Sequence, residues 1–116
     1  MEKLYFAFKN SLNGLKRALR EERAIRQEIF LLVIAVPLAF LIAPSLFHTF
    51  LLIISILFIL SIELLNTCIE KLCDHVTPEH HEAIGYIKDL GSAAVLCALI
   101  CAVLLWGYNF ALLLGF

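Results

Sequence analysis

The chain alternates between long uncharged stretches and short clusters of charged residues. The uncharged stretches are Ile29–Ala43, Leu46–Ile62 and Leu90–Phe116. The hydrocarbon core of a bilayer is about 30 Å thick, and roughly 20 helical residues cross it. The pattern therefore predicts three membrane-spanning helices. We place them at about residues 27–44, 46–70 and 90–113.

Two prolines accompany the first stretch. Pro37 lies inside it and is expected to kink the helix, whereas Pro44 is expected to mark its end. An arrangement with only two spans, in which the first stretch lies in the membrane interface, is the alternative.

The N-terminal segment is amphipathic. Apolar residues recur there every three or four positions, and basic residues occupy the rest of the helical wheel. We predict a surface helix over about residues 2–22, whose basic face suits an anionic membrane surface. Asn13 and Gly14 mark a point at which this helix is expected to bend or break. The apolar positions are Leu4, Phe8, Leu12, Leu15 and Leu19.

Composition supports a membrane location. Of the 116 residues, 62% are hydrophobic and 16% are charged, and the mean hydropathy is +0.94. These values exclude an ordinary soluble domain. Three spans leave too few residues for a separate soluble catalytic domain. We therefore predict a single all-α membrane domain over residues 1–116, and we expect no nucleic-acid partner.

The basic residues are distributed unevenly. Seven of the nine Lys and Arg residues lie in the first 26 positions, and the other two are Lys71 and Lys88. By the positive-inside rule, the N-terminus and the 71–89 segment are cytoplasmic and the C-terminus is outside. Within that segment, Thr77 is the predicted N-cap of a helix that has Pro78 in its first turn and leads into the third span.

Polar residues continue the second uncharged stretch. Glu63 follows it directly, and Asn66 and Glu70 stand three and seven residues further on, so a helix places all three on one face. Asp74 continues the line. An ionisable group at membrane depth is costly and for that reason usually serves a function.

Further charged residues are expected at the same cytoplasmic end. Glu22 and Glu28 flank the inner end of the first span, and Lys88 and Asp89 enter the third. Carboxylates near basic residues suit Mg²⁺ with bound phosphates. No Walker A motif, kinase catalytic loop or dinucleotide fingerprint is present. The competing interpretations of these charged residues are solvated helix ends and boundary ion pairs. For the histidines of the 71–89 segment, the alternatives are a solvated loop and a zinc site.

Three sequence blocks resemble signature blocks of the prokaryotic diacylglycerol kinase family. They are ERAIRQE at 22–28, ELLNTCIE at 63–70 and KDLGSAAV at 88–95. The resemblance extends from about Lys3 to Trp106. It implies a homotrimer of three-span protomers in the bacterial cytoplasmic membrane, with active sites shared between neighbouring chains. The implied reaction transfers the γ-phosphate of ATP to diacylglycerol, with Mg²⁺ as cofactor, and gives phosphatidic acid.

The resemblance also implies roles for individual residues. Glu63 would be the catalytic base toward the lipid hydroxyl, and Glu22 and Glu70 would hold Mg²⁺. The supporting residues would be Asn66, which would position Glu63 or the phosphate, Asp74 and Glu28. Residues contacting ATP would be Lys3, Asn10, Glu22, Glu70, Glu79, His80, His81, Lys88 and Asp89. Residues contacting the lipid would be Ser11, Arg26, Gln27, Glu63 and Ser92.

The chain departs from the family pattern at three of the nucleotide positions. Lys3 stands where many members have Arg, which keeps the charge without the bidentate fork. Asn10 and His80 stand where better-known members have Tyr, so aromatic contacts to the nucleotide are not expected there.

The lipid substrate and the activity itself each have alternatives. A sister branch of the family phosphorylates undecaprenol, whereas the RQE run at 26–28 and the Gly91–Ser92 pair resemble the diacylglycerol branch. Outside the family, a proton-coupled transporter using Glu63 and a noncatalytic helical subunit are the rival interpretations.

Overall fold

Four α-helices are present in the described residues, 1–79 and 81–116, of the computed structural model. Three of these helices are long and apolar enough to cross a membrane. The predicted all-α architecture, with three spans and an additional N-terminal helix, is confirmed. The helices are α1 (Glu2–Glu21), α2 (Arg23–Ile42), α3 (Leu46–Val76) and α4 (Glu82–Leu113).

Helix α1 is continuous and has no buried residue. Asn13 and Gly14 lie inside it, and the break expected there is not observed. The apolar side chains of Leu4 and Phe8 are 73% and 65% exposed. Such exposure fits a helix whose apolar side rests on lipid rather than on protein.

Helix α2 runs through one proline and ends before another. Pro37 lies inside the helix, which continues to Ile42. Ala43 has an extended backbone (φ −74°, ψ 139°), because a following proline disfavours the helical conformation of the residue before it. The helix therefore ends two residues before Pro44, and it begins at Arg23, ahead of the predicted span at about residues 27–44.

The connection between α3 and α4 differs from the prediction. Helix α3 continues to Val76, past the end of the predicted span at about residue 70, and α4 begins at Glu82 rather than at the helix start predicted near Pro78. Thr77 is the C-cap of α3, so its prediction as an N-cap is wrong. The N-cap of α4 is His81, whose Nδ1 accepts a hydrogen bond from the backbone N–H of Ala83 (3.1 Å). A histidine ring nitrogen thus replaces the expected hydroxyl cap.

Helix α3 is central and packs against both α2 and α4. Its buried Leu52, Ile56 and Ile59 meet small residues of the neighbouring helices. Small side chains allow membrane helices to approach closely, which increases van der Waals contact where lipid gives no hydrophobic driving force. These small residues are Ala35 and Ala39 on α2 and Ala98 and Ala102 on α4.

One side-chain hydrogen bond joins α3 and α4 inside the bundle. The indole Nε1 of Trp106 donates to Ser55 Oγ (3.0 Å), and this hydroxyl donates to the Leu52 carbonyl (2.6 Å). Pairing of both polar groups removes the cost of leaving them unsatisfied in an apolar layer.

The start of α2, the end of α3 and the start of α4 lie at the same end of the bundle, as ion pairs between them show. Helices α3 and α4 contain 31 and 32 residues, which corresponds to about 46–48 Å at 1.5 Å per residue. Both exceed a hydrocarbon core of about 30 Å. Their polar ends therefore extend beyond the apolar layer at the end that carries Glu70 and Lys88.

Candidate active site

A line of polar side chains runs along one face of α3 at this end of the bundle. Glu63, Asn66 and Glu70 are spaced three and four residues apart, so the helix stacks them as predicted. Asn66 is buried, and the two carboxylates are half-buried. Asn66 Nδ2 donates to Glu70 Oε1 (3.1 Å). Asn66 therefore orients Glu70, and among the described residues it makes no hydrogen bond to Glu63.

Glu28 brings a further carboxylate to the line from α2. It is half-buried, and its Oε2 has no hydrogen-bond partner among the described residues. The carboxylates of Glu28 and Glu63 lie close enough to repel one another, as do those of Glu63 and Glu70. A cation near either pair would offset this repulsion.

The donor atoms of this region fit Mg²⁺ when substrate supplies further ligands. Within residues 1–79 and 81–116, no three His, Cys, Asp or Glu side chains form a group that could hold a metal ion alone. Mg²⁺ is commonly bound by one or two carboxylates, with waters and substrate phosphates completing its shell. Glu22 and Glu70 are carboxylate donors of this type, and Asn66 holds Glu70 through its hydrogen bond to Oε1.

An open cavity of about 660 Å³ lies between α1 and α3, and we call it the α1–α3 groove. Leu15, Leu64 and Cys68 contribute to its apolar wall, and the polar Ser11 also lines the groove. Its charged rim contains an ion pair between Lys71 Nζ and Glu22 Oε1 (2.6 Å). An apolar wall beside a charged rim suits a molecule with an apolar tail and a polar head. The groove lining comprises Ser11, Gly14, Leu15, Arg17, Ala18, Glu21, Glu22, Leu64, Thr67, Cys68 and Lys71.

A smaller cavity of about 220 Å³, which we call the loop cavity, lies where α3 is connected to α4. Glu79, His81 and Lys88, three residues predicted to contact ATP, line it together with Asp74. Lys88 Nζ forms an ion pair with Asp74 Oδ1 (2.7 Å) and lies close enough to Glu70 for attraction. The loop cavity therefore adjoins the polar line and contains a cation suited to phosphate. His80, also predicted to contact ATP, lies outside the described residues.

The remaining predicted contacts are dispersed over the surface. Lys3 and Asn10 are exposed on α1, and Gln27, Asp89 and Ser92 are exposed on α2 and α4. None of the five lines the α1–α3 groove or the loop cavity.

Arg26, predicted to contact the lipid, is engaged with α1. Its Nη1 donates to the carbonyl oxygens of Leu19 (3.2 Å) and Arg20 (2.9 Å). Carbonyls in the last turn of a helix lack helical partners, and a cation there is favourable. Arg26 thereby fastens the surface helix to the start of α2.

The structure adds two residues that the sequence reasoning missed. Lys71 pairs with Glu22, a predicted Mg²⁺ ligand, although the two are far apart in sequence. Gly91 is buried against Asn66: a Cβ at this position would overlap the amide oxygen and come within 3.2 Å of Cγ. Glycine alone does not single out this position, because Gly14, Gly85 and Gly107 also lie in helices and a Cβ at each would meet nothing within 4 Å.

The fold and the site define a small multi-pass membrane protein whose acidic residues lie at one end of a helical bundle, near an apolar groove and a charged cavity. The sequence model of the family described as prokaryotic diacylglycerol kinase matches residues 9–110. The chain belongs to the prokaryotic diacylglycerol kinase family, as its sequence blocks indicated.

Individual relatives agree with this assignment. The chain is 41% identical over 99 residues to the diacylglycerol kinase of Haemophilus influenzae, with 85% of this chain and 84% of the relative covered. It is 41% identical over 96 residues to that of Escherichia coli K12, covering 83% and 79%. With the enzyme of Helicobacter pylori 26695, the identity is 38% over 106 residues, covering 91% and 83%.

Family membership gives the class of activity, and the three apolar helices agree with a membrane location. The protein is a kinase that acts on a lipid and uses a nucleotide, and it is a multi-pass protein of the bacterial inner membrane. The enzyme interpretation is therefore confirmed over the transporter and the noncatalytic subunit.

Proposed function

We propose that this protein transfers the γ-phosphate of MgATP to the free hydroxyl of diacylglycerol, giving phosphatidic acid. The observation that supports this proposal is the polar line of α3. Glu63 stands at the end of the apolar part of the helix, and Glu70 lies within range of Lys88 at the loop cavity. A lipid hydroxyl at one end of the line and a nucleotide phosphate at the other would meet on one helix face.

The proposed chemistry is an in-line displacement. The lipid hydroxyl oxygen forms a bond to the γ-phosphorus, the bond from that phosphorus to the β–γ bridging oxygen breaks, and ADP leaves. The proton of the hydroxyl passes to Glu63. Among the described residues, no ion pair or side-chain hydrogen bond occupies Glu63, so its oxygens are available to accept this proton.

Glu22 and Glu70 are the proposed ligands of Mg²⁺, together with phosphate oxygens. When bound, Mg²⁺ supplies positive charge that offsets the negative charge of the phosphates. Asn66 holds Glu70 through its hydrogen bond. Lys71 holds Glu22 through an ion pair and would share or release that carboxylate when the cation binds.

We further propose that the nucleotide occupies the side of the loop cavity and the lipid the side of the α1–α3 groove. Lys88 offers its ammonium group to the phosphates, because an ion pair with one exposed carboxylate leaves further N–H donors. The other proposed nucleotide contacts are Lys3, Asn10, Glu79, His80, His81 and Asp89. The other proposed lipid contacts are Ser11, Arg26, Gln27 and Ser92, with Glu28 supporting Glu63.

The location and assembly are proposed on separate grounds. The concentration of basic residues in the first 26 positions supports a cytoplasmic N-terminus and active site, with the C-terminus outside. The homotrimer, with active sites shared between neighbouring chains, is proposed from the family resemblance. Its subunit contacts would cover part of the exposed apolar surface of the helices.

The test is phosphate transfer in mixed micelles by the purified full chain, with γ-labelled ATP, Mg²⁺ and either diacylglycerol or undecaprenol. We expect labelled phosphatidic acid, and we expect its formation to stop when Mg²⁺ is chelated. Faster labelling of undecaprenol would place the protein in the sister branch. Absence of transfer to both lipids from a folded protein would contradict the proposed function.

A further inference from the structure

Gly91 on α4 lies directly beside the side chain of Asn66 on α3. Gly91 is buried, and a Cβ built on it would overlap Asn66 Oδ1 and lie 3.2 Å from Asn66 Cγ. Overlap this close requires one group to move. The far end of a flexible side chain could move at little cost, but Asn66 is itself 9% exposed and lies in the contact between two packed helices.

The orientation of the Asn66 amide follows from its other neighbour. A carboxylate only accepts hydrogen bonds, so the NH₂ group of Asn66 must face Glu70, as the distance of 3.1 Å from Nδ2 to Oε1 shows. The amide oxygen then faces α4, where it is buried without a hydrogen-bond partner in the described chain. It occupies the space that a side chain at position 91 would fill.

We infer that Gly91 is a positioning residue of the kinase reaction, because its missing side chain fixes the Asn66 amide in the orientation that holds Glu70. This inference rests on the proposed role of Glu70 as a Mg²⁺ ligand. Gly91 is not proposed to touch substrate. It acts through Asn66, and a methyl group at position 91 would turn or displace the amide and leave Glu70 without its donor.

Other glycines of the chain provide a matched control. Gly107 also lies within α4, and a Cβ there would meet nothing within 4 Å. Gly91→Ala and Gly107→Ala therefore make the same change in the same helix and raise helix propensity by the same amount. They differ in their surroundings, because Asn66 lies beside position 91 and not beside position 107.

The functional test is a cycle of variants in the full chain. Gly91→Ala should raise the KM for MgATP by about tenfold, the effect of losing one hydrogen bond to a charged group, whereas Gly107→Ala should leave it unchanged. In a chain that already carries Asn66→Ser, the smaller side chain makes room, and Gly91→Ala should add little further loss. An equal loss in both backgrounds would overturn the inference.

Two measurements do not depend on activity. Isotope-labelled asparagine reports the side-chain amides of Asn10, Asn13, Asn66 and Asn109, and Asn66→Ser identifies the signal of Asn66. Gly91→Ala should shift that signal and Gly107→Ala should not; an unmoved signal would overturn the inference. The thermal unfolding temperature should fall when Gly91→Ala is made in the parent, and it should fall less when the same change is made in Asn66→Ser. If the parent fails to phosphorylate diacylglycerol, the proposed function fails, while these two measurements still decide the role of Gly91.

Discussion

Replacing Glu63 with glutamine tests the proposed base directly. Glutamine keeps the length of the side chain and its capacity for hydrogen bonding, but it cannot take up the proton of the lipid hydroxyl. A positioned general base contributes about 10²–10⁴-fold to the rate. We expect kcat of Glu63→Gln to fall by this factor, which corresponds to about 2.7–5.4 kcal/mol of activation free energy.

The surroundings of Glu63 make this change suitable for separating catalysis from folding. The carboxylate is half-buried, no ion pair in the described residues depends on it, and Glu28 and Glu70 repel it. Loss of its charge relieves repulsion and leaves no partner unpaired. Thermal unfolding of Glu63→Gln should therefore occur at or above the parent temperature. The KM for MgATP should change little, because Glu63 does not line the loop cavity.

The assay is initial-rate transfer of labelled phosphate to diacylglycerol in mixed micelles, with saturating ATP and Mg²⁺. Glu2→Gln is the matched control, since Glu2 is exposed in the first turn of α1 and lies outside the proposed site. Its kcat should equal that of the parent. If folded Glu63→Gln retains a kcat near that of the parent, the assignment of the base is wrong.

Three other perturbations have distinct expected results. Lys71→Met should lower the Mg²⁺ concentration needed for half-maximal activity, since the ammonium group no longer competes for Glu22; an unchanged Mg²⁺ titration would argue against Glu22 as a ligand. Ser55→Ala and Trp106→Phe should each destabilise the bundle, and a double-mutant cycle measured by denaturant unfolding should give a coupling free energy of about 0.6 kcal/mol, with about 1.7 kcal/mol as the upper bound. No coupling would mean that the hydrogen bond does not stabilise the native bundle. Arg26→Gln should loosen α1, because the guanidinium no longer donates to the last-turn carbonyls. Hydrogen exchange of α1 amides should then accelerate while that of α4 stays constant, and equal exchange in variant and parent would contradict this role.

Local patterns in the sequence were sufficient to predict the helices and the shared face of the three polar residues on α3. Three long uncharged stretches predicted three spans, and the spacing of Glu63, Asn66 and Glu70 predicted one helical face. These features depend on periodicity and on the thickness of the bilayer, both of which act over a single helix.

Helix ends were predicted less well, because hydropathy identifies the part of a helix that lies in lipid rather than the helix itself. The helical pattern of backbone hydrogen bonds continues beyond the apolar part of each helix. As a result, α3 extends to Val76 and α4 begins at Glu82. Thr77 is a good N-cap residue, but the chain turns later and uses His81. A preference for a residue type at a cap cannot fix the turn at which the cap forms.

Contacts between helices were the least predictable part of the site. Asn66 stands at helical spacing from both Glu63 and Glu70, and the spacing does not show that its amide faces Glu70 or that Gly91 of α4 lies against it. Lys71 likewise meets Glu22 because α1, α2 and α3 converge at one end of the bundle. Such contacts join residues distant in the chain, so no short pattern encodes them.

The length of α3 makes the activity sensitive to the thickness of the bilayer. Glu63 and Asp74 are eleven residues apart on one helix, a separation of about 16 Å along its axis. In the proposed site, α3 sets the distance along the membrane normal between the lipid hydroxyl at Glu63 and the nucleotide at the loop cavity, while the bilayer sets the depth of the helix. A thicker bilayer would draw Glu63 below the level of the lipid hydroxyl, and a thinner one would lift it above. The catalytic rate should therefore be highest at one acyl-chain length of the host lipid. Bilayer thickness would then control the alignment of Glu63 with the lipid hydroxyl.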